Sequence, residues 1–293
     1  MAFDAGMLAC MVHEIRTVAL GGRIEKVMQP ERDEIILQLR STEGGKRLLI
    51  NAGTGPRISF TDLARENPAQ APMFCMLLRK HLLGARLMEI TQLPMERCAI
   101  FTFDCIDEMG DHVKKTLAAE LMGRTCNLYL LGPDQRILDC LRRIGLDESS
   151  RPALPGLNYQ SPAPVEKRDP AAMTEEDFIN LVNTPGADLL SARLMDTLGG
   201  LSPLVCREAA LFATGDVNSR ITDLDIPAVS ERLRLFFGEH LSHPAPYLYT
   251  ATDGTPKQFA FCPIRQYGSF TQATGFSALL ASFYAQRSPN AAM

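Results

Sequence analysis

Apolar residues recur at helical spacing at the start of the chain and at strand spacing in the segments that follow. The first group consists of Phe3, Met7, Leu8, Met11, Val12 and Ile15. This spacing predicts an amphipathic helix over residues 5–18, which Gly21-Gly22 ends because glycine readily leaves helical geometry. Three short strand-like runs follow, at residues 23–29, 34–41 and 47–53. Turn residues predict breaks between them, at 30–33 and 43–45.

A second helix and a longer series of strands are predicted next. Pro72 suits a first helical turn and Gly84 a helix end, so residues 73–83 are expected to be helical. The strand-like runs after this helix are residues 86–92, 96–105, 113–121, 127–131 and 136–140. The second of these strands opens with Glu96-Arg97. Short turns between successive strands favour antiparallel sheets packed as a sandwich, with helices at the ends.

Residues 148–172 are rich in proline, serine and charge, and they form the clearest boundary in the chain. Helical periodicity dominates beyond the boundary, over residues 175–182, 187–198, 203–214 and 227–240. A hairpin is then predicted around Asp253-Gly254, followed by a terminal helix with an apolar stripe from Phe276 to Phe283. The expected fold class is therefore α+β.

Composition restricts the kind of partner that the chain can bind. The chain has 293 residues, of which 46% are hydrophobic, enough for one large domain or two smaller ones. Its net charge is −4. An acidic balance argues against a generally basic surface for nucleic acid. Any contact with RNA must therefore come from a local basic patch.

The cysteines and the N-terminus indicate the compartment. Eight cysteines contain no C-x-x-C pair and lie mostly in apolar runs. This arrangement favours buried thiols in a reducing environment over disulfides or a zinc site. The first residues lack the pattern of a secretory signal, and no apolar run reaches membrane-spanning length. The expected location is the cytoplasm, without membrane contact.

Glu96-Arg97 is the first candidate for binding chemistry. Arg97 can present a bidentate guanidinium to a phosphate or a base edge, and Glu96 can orient it or accept a hydrogen bond from a base amine. The alternative is an ordinary charge pair at a strand end, which contributes little to stability. Asp4 directly precedes the first predicted helix, where its carboxylate is well suited to act as the N-cap.

Further basic residues would form a phosphate-binding face if the fold brings them together. Arg79, Lys80 and His81 end the second predicted helix, where cations also complement the helix dipole without any ligand. The other members of this candidate face are Arg86, Lys114, Lys115 and Arg124.

Residues 198–213, LGGLSPLVCREAALFA, resemble a helix-hairpin-helix motif, in which backbone amides at a helix start bind a phosphate. Gly200 and Ser202 would provide this contact. Serine stands where the motif has its second glycine, and Pro203 removes one amide donor. A purely structural hairpin is therefore the alternative.

Enzyme signatures are missing from the sequence. It contains no G-x-S-x-G, no H-E-x-x-H and no P-loop. No catalytic residue, metal or cofactor is therefore expected.

Residues 71–104, the block ELMGRTCNLYLL at 120–131 and residues 198–213 together resemble the N-terminal half of the NFACT family, the bacterial RqcH type in particular. Members of this family are tRNA-binding factors of ribosome-associated quality control, and some are labelled fibronectin/fibrinogen-binding. The resemblance implies an NFACT-N domain similar to the N-domain of a DNA glycosylase family. That family's N-terminal proline nucleophile is missing here, since the chain begins Met-Ala-Phe-Asp.

The resemblance also implies a division of the chain. The parts are an NFACT-N domain at 1–165, a helix-hairpin-helix domain at 166–243, a β-hairpin at 244–275 and the truncated start of a coiled coil at 276–293.

The resemblance implies the partners and the binding residues as well. The partners are tRNA, an alanine tRNA in bacteria, and a large ribosomal subunit that carries peptidyl-tRNA; the stalled chain receives a C-terminal tail. The tRNA-binding residues are Asp4, Arg79, Lys80, Glu96, Arg97, Glu120, Arg124 and Asn127. Glu96 stands where the family usually has aspartate, and Cys126 where it usually has serine. The rival interpretations are an adhesin that binds fibronectin or fibrinogen and a non-catalytic structural scaffold.

Overall fold

The computed structural model describes residues 3–164 and 166–285, which divide into two compact units. The sheet unit is Met11–Ala163, and the helical unit combines the described parts of Met1–Cys10 and Pro164–Met293. The division of the chain into four parts stays a prediction. The expected coiled-coil start extends beyond residue 285, and that portion lies outside the described residues.

The sheet unit is built on one antiparallel sheet. Its strands are β1 Arg23–Glu31, β2 Glu34–Ser41, β3 Gly44–Asn51, β4 Arg57–Phe60, β5 Arg86–Gln92, β6 Cys98–Ile106, β7 His112–Glu120, β8 Asn127–Leu131 and β9 Ile137–Cys140. The order across the sheet is β4-β3-β2-β1-β5-β6-β7-β8-β9. Strands β1 to β4 form one half of the sheet and β5 to β9 the other. The halves join between β1 and β5 at a single register pair, Arg23 opposite Arg86. The predicted α+β class with antiparallel strands is confirmed.

The helices of the sheet unit are α2 Met73–Leu82 and the part of α1 Ala5–Ala19 that follows Cys10. Helix α2 buries Phe74, Cys75, Leu78 and Leu82, which recur at helical spacing and form one face. This helix packs against β1, β6 and β9, and therefore against strands from both halves of the sheet. Strand β8 is buried at every position, as expected for a strand that is covered on both faces.

The helical unit contains the remaining elements. They are α3 Glu175–Asn183, α4 Leu190–Thr197, α5 Pro203–Thr214, α6 Ile226–Ser242, β10 Tyr247–Thr250, β11 Pro256–Ala260, β12 Thr271–Gln272 and α7 Phe276–Ala285. The strands form a small antiparallel sheet in the order β11-β10-β12. Among the described helices, none combines the length and apolar character needed to cross a bilayer.

Local chemistry explains where the helices of this unit begin. Thr174 and Asp177 form a capping box at the start of α3, and the side chain of Ser202 accepts the amide hydrogen of Val205 at the start of α5. Helix α5 ends at Gly215, whose φ of 86° lies in the left-handed region that glycine adopts without strain.

Some predicted boundaries are wrong. Strand β1 continues through Pro30, where a break was expected, because a register shift between Met28 and Glu31 accommodates a residue without an amide hydrogen. The short strands β4 and β12 are absent from the sequence prediction. All eight cysteines lie within the described ranges, and their predicted burial is confirmed.

Candidate nucleic-acid interface

Three neighbouring strands of the sheet unit position Arg97. Glu120, the last residue of β7, lies opposite Cys98 of β6 on one side and opposite Asn127 of β8 on the other. The carbonyl oxygen of Arg97 accepts a hydrogen bond from the amide of Leu121 at 2.7 Å. Arg97 therefore lies beside the connection that leads from β7 to β8.

Glu96 and Arg97 occupy a turn, and their prediction as the first residues of a strand is wrong. Strand β6 begins at Cys98, and Met95 has a φ of 57°, so the chain turns sharply just before the pair. The amide of Glu96 donates to the carbonyl of Leu93 at 3.1 Å. Glu96 is only 9% exposed, whereas Arg97 is partly exposed. Of the two, Arg97 is the side chain that the turn presents to solvent.

The connection from β7 to β8 carries Arg124 on its surface. A short 3-10 helix spans Gly123–Thr125, and Gly123 begins it with a φ of 58°. Arg124 is exposed, and Cys126 behind it is buried. Burial raises the pKa of the Cys126 thiol, while the nearby guanidinium groups of Arg97 and Arg142 act in the opposite direction. Both arginines therefore lie within electrostatic reach of the same sulfur atom.

Arg142 is a member of this site that was absent from the sequence prediction. Its Nη2 lies 2.8 Å from Oδ1 of Asp33 in the turn between β1 and β2, and its Nη1 donates to the carbonyl of Cys126 at 2.9 Å. Asn127 is 1% exposed and holds the backbone of Arg142 through two hydrogen bonds of 2.8 and 2.9 Å. Asn127, a predicted tRNA contact, thus supports the site from within.

Arg32, exposed and adjacent to Asp33, lies in the same turn between β1 and β2. We call the resulting group the arginine end of the sheet unit; it consists of Arg32, Arg97, Arg124 and Arg142.

Glu120 lies inside the sheet and forms a buried ion pair with Arg151. Both carboxylate oxygens accept from the guanidinium, and Oε1 also accepts from the hydroxyl of Tyr159 at 2.8 Å. Glu120 is fully buried, so it is positioned to fix the ends of β6 and β8. Burial is the main cause that raises the pKa of Cys98 to about 12 and that of Tyr159 well above its usual range. Arg151 and Tyr159 come from the proline-rich boundary segment and were absent from the sequence prediction.

Arg79 and Lys80 lie away from the arginine end. Nε of Arg79 donates to the carbonyl of Val27 at 3.0 Å, which fastens α2 to the middle of β1. Nζ of Lys80 lies 3.7 Å from Oε1 of Glu108, in the turn that follows β6. Arg97 precedes β6, and a nine-residue strand spans about 30 Å, so Lys80 and Arg97 are at opposite ends of this strand.

Asp4, Gly200 and Ser202 meet in the helical unit. Oδ1 of Asp4 accepts the amide hydrogen of Met7 at 2.9 Å, which confirms the predicted N-cap of α1. Its Oδ2 accepts the amide hydrogen of Ser202 at 2.8 Å, and the amide of Ala5 donates to the carbonyl of Gly200 at 3.0 Å. The amide that a phosphate would use at the start of α5 therefore has an acceptor inside the protein. Phosphate binding by Gly200 and Ser202 stays a prediction.

A comparison with protein families decides the classification. The family described as NFACT N-terminal and middle domains matches residues 4–293. The chain belongs to the NFACT family. Among curated NFACT relatives, the Rqc2 homolog RqcH of Bacillus subtilis (strain 168) is 34% identical over 212 residues, which is 71% of this chain and 37% of that protein. The Rqc2 homolog RqcH of Streptococcus pneumoniae serotype 2 is 33% identical over 263 residues, 89% of this chain and 44% of that protein.

A solved structure supports the NFACT assignment at the level of the fold. The N-terminal part of the fibronectin/fibrinogen-binding protein from Streptococcus suis superimposes with a TM-score of 0.80 at 28% identity. The superposition covers 98% of this chain and 100% of the solved one. The chain spans less than half the length of the two RqcH relatives, 37% and 44%.

In this NFACT chain, predicted site residues therefore form two groups, one in each unit. Arg97 and Arg124 lie at the arginine end with Glu120 and Asn127 buried beneath, and Asp4 lies with Gly200 and Ser202. Among the described residues, no group of three or more His, Cys, Asp or Glu side chains could hold a metal ion.

Proposed function

We propose that this chain is the tRNA-binding module of a ribosome-associated quality control factor and acts in the cytoplasm. Membership of the NFACT family, with RqcH proteins among its relatives, supports the assignment. The observation that carries the proposal is the arginine end, where partly exposed Arg97 and exposed Arg124 lie on two adjacent connections of the sheet, which are joined by the hydrogen bond from the amide of Leu121 to the carbonyl of Arg97.

The chemistry of the arginine end suits a folded RNA. Guanidinium groups form bidentate hydrogen bonds with phosphate oxygens, and the buried side chains of Glu120 and Asn127 restrict the backbone that carries them. The chain as a whole has a net charge of −4, so attraction to RNA must be local. A site of this kind binds the phosphate backbone and positions the RNA rather than reading long sequences.

The proposal extends to a more specific role on the ribosome. The module would hold a tRNA, an alanine tRNA in bacteria, on a large subunit that is obstructed by peptidyl-tRNA, so that the stalled chain receives a C-terminal tail. The module positions the tRNA, and the ribosome carries out the peptide-bond chemistry.

A filter-binding titration with tRNA at several salt concentrations tests the proposal. Wild-type binding should weaken steeply with salt because phosphate contacts release counterions. Arg97→Ala and Arg124→Ala should each weaken binding about tenfold or more. Each should also reduce the slope of log K against log salt by about 1. Arg97→Lys should keep the slope and lose affinity if the contact is bidentate.

Arg23→Ala is the matched control. Arg23 is an exposed arginine of the same unit at the first residue of β1, while Arg32 and Asp33 follow the other end of that strand. Its removal deletes the same charge and should leave tRNA affinity nearly unchanged. Equal losses for Arg23→Ala and Arg97→Ala, or a wild-type complex insensitive to salt, would contradict the proposal and favour the scaffold interpretation.

Fibronectin or fibrinogen binding is the second candidate function. The observation in its favour is the likeness to the fibronectin/fibrinogen-binding protein from Streptococcus suis. Surface plasmon resonance with immobilised fibronectin, with and without competing tRNA, separates the two candidates. Saturable fibronectin binding that tRNA does not displace would support the adhesin.

A further inference from the structure

The small sheet of the helical unit presents aromatic and amide side chains on one face. Tyr247 and Tyr249 are two residues apart in β10, so they point to the same side of the sheet. Tyr249 lies opposite Gln258 of β11, and Tyr247 lies opposite Gln272 of β12. Residues directly opposite in antiparallel strands share a face, so both glutamines flank the tyrosines.

Two more rings extend this face. Tyr267 stacks on Tyr249 with a centroid distance of 4.3 Å and an interplanar angle of 20°, and Phe270 contacts Tyr247 edge-on at 5.5 Å. Tyr267 is 39% exposed, so part of the stacked pair is open to solvent. We call this set the aromatic face; its members are Tyr247, Tyr249, Tyr267 and Phe270. It holds three of the six tyrosines in the chain, a concentration that core packing alone does not require.

The charges within the stretch that carries the aromatic face, residues 244–275, favour an anionic ligand. The guanidinium of Arg265 is exposed and lies 5.9 Å from the ring centre of Phe270. Between residues 244 and 275 the sequence contains one acidic residue, Asp253, and its carboxylate accepts the amide hydrogen of Thr255 at 2.8 Å in a turn. In a chain of net charge −4, this stretch is therefore unusually poor in carboxylates that would repel a phosphate.

We infer that the aromatic face binds unpaired nucleotides of an RNA. A base would stack on the outer side of Tyr267 and continue the Tyr249–Tyr267 stack. Gln258 and Gln272 would hydrogen-bond base edges, and Arg265 would contact the backbone phosphate. A duplex cannot bind in this way because its bases already stack on one another. The inference rests on the proposed function, binding of RNA, and specifies that the helical unit binds the unpaired part of that RNA.

Tyrosine fluorescence provides a direct test with the whole chain. The protein contains no tryptophan, so its emission comes from six tyrosines, and a base stacked on Tyr267 should quench part of it. The probe is an unstructured eight-nucleotide RNA, with a blunt duplex of the same composition as comparison. The single strand should quench and the duplex should not. Absence of quenching by the single strand would overturn the inference.

Three variants separate stacking from folding. Tyr267→Ala should weaken binding of the single strand on the order of 5- to 100-fold, while Tyr267→Phe should retain affinity because the ring remains. Phe212→Ala is the matched control, since Phe212 is an aromatic residue of the same unit with a nearly equal exposure of 38% against 39% for Tyr267. Thermal melts check that each variant is folded.

The remaining outcomes are also decisive. Equal affinity of wild type and Tyr267→Ala for the single strand, or an equal loss for Phe212→Ala, would overturn the inference. Quenching by a proline-rich peptide and not by RNA would assign the face to a protein partner and overturn it as well. The tRNA titration with Arg97→Ala is independent, so failure here with a normal Arg97 effect leaves the proposed function intact.

Discussion

The carboxylate of Asp4 accepts the backbone amide hydrogen of Ser202 at 2.8 Å, across 198 positions of sequence. The same carboxylate caps α1, so one side chain serves the starts of two helices. Helix starts attract anions, and here an internal anion occupies the start of α5. A phosphate that bound at this point would have to displace Asp4.

Asp4→Ala should lower the free energy of unfolding by about 2 kcal/mol, roughly 1 for the lost cap of α1 and at least as much for the buried amide of Ser202. Asp4 is 5% exposed, so water cannot readily replace the carboxylate. Urea unfolding measures the change. Asp225→Ala is the control, because its capping contact to Ala228 is exposed and long at 3.5 Å. Equal effects of the two substitutions would contradict the double role of Asp4.

Gly6 and Gly238 should respond to alanine with opposite signs. A Cβ at Gly6 would lie 2.3 Å from Cε1 of the buried ring of Phe261, whereas a Cβ at Gly238 meets nothing within 4 Å. Alanine gains about 1 kcal/mol of helix propensity at either position. Overpacking costs about 1–3 kcal/mol at Gly6 alone. Thermal melts should show a lower Tm for Gly6→Ala and a Tm a few degrees higher for Gly238→Ala.

A second substitution tests the cause of the Gly6 effect. Phe261→Leu introduced into Gly6→Ala should recover part of the lost stability, because the clash is removed. Additive losses in the double variant would show that the contact with Phe261 is not responsible.

His81 should make stability depend on pH. Burial lowers the pKa of His81, and the ammonium groups of Lys115 and Lys80 lower it further, against a small opposing effect of Glu108. Neutral Nδ1 lies 2.9 Å from Nζ of Lys115 and accepts its hydrogen. Because the folded pKa lies below the unfolded one, the stabilisation is complete above about pH 6.5 and is lost as pH falls through and below that value.

Urea unfolding at pH 7.5 and 5.5 measures this dependence. His81→Gln keeps an acceptor for Lys115 but cannot be protonated, so the difference between the two pH values should shrink. His13→Gln, which replaces an exposed histidine, should leave the difference as it is. An unchanged difference in His81→Gln would show that other groups cause it.

Glu120→Gln should destabilise the sheet unit by about 3 kcal/mol, at the low end for breaking a buried pair, because the side chain of Arg151 is 30% exposed. The substitution leaves the guanidinium of Arg151 without its counter-charge. Arg151→Met added to Glu120→Gln should restore part of the loss. Glu25→Gln, which breaks an exposed pair with Arg40, should change the unfolding midpoint little. Little loss for Glu120→Gln would contradict a supporting role for this pair.

Hydrophobic patterning predicts most of the elements. Strands such as β2, Glu34–Ser41, and helices such as α5, Pro203–Thr214, have the predicted bounds because long periodic segments are bounded by clear turn residues. The strand β12 has only two residues, too few for any period to emerge. Pro30 indicated a break, but the register shift that accommodates it depends on the neighbouring strand and is invisible in the local sequence.

The site is less predictable than the fold. Arg97 and Arg124 could be predicted from the sequence segments that contain them, but the residues that hold these segments in place could not. Arg142 meets Asp33 and Arg151 meets Glu120 through contacts that span 109 and 31 residues of sequence, and no spacing rule connects them. The sequence predicts Glu96-Arg97 as extended because the pair adjoins a strong strand, whereas the turn depends on the positive φ of Met95, a residue type that rarely adopts it.

The helical unit is discontinuous in sequence, and this constrains any attempt to prepare it alone. A cut after residue 163 separates Asp4 from Ser202, and it also leaves Gly6 on a different fragment from Phe261. A fragment that starts at residue 164 would lose the contacts that residues 4–6 make with Gly200, Ser202 and Phe261 in the intact chain. An isolated form would need the first ten residues returned, by circular permutation or as an added peptide.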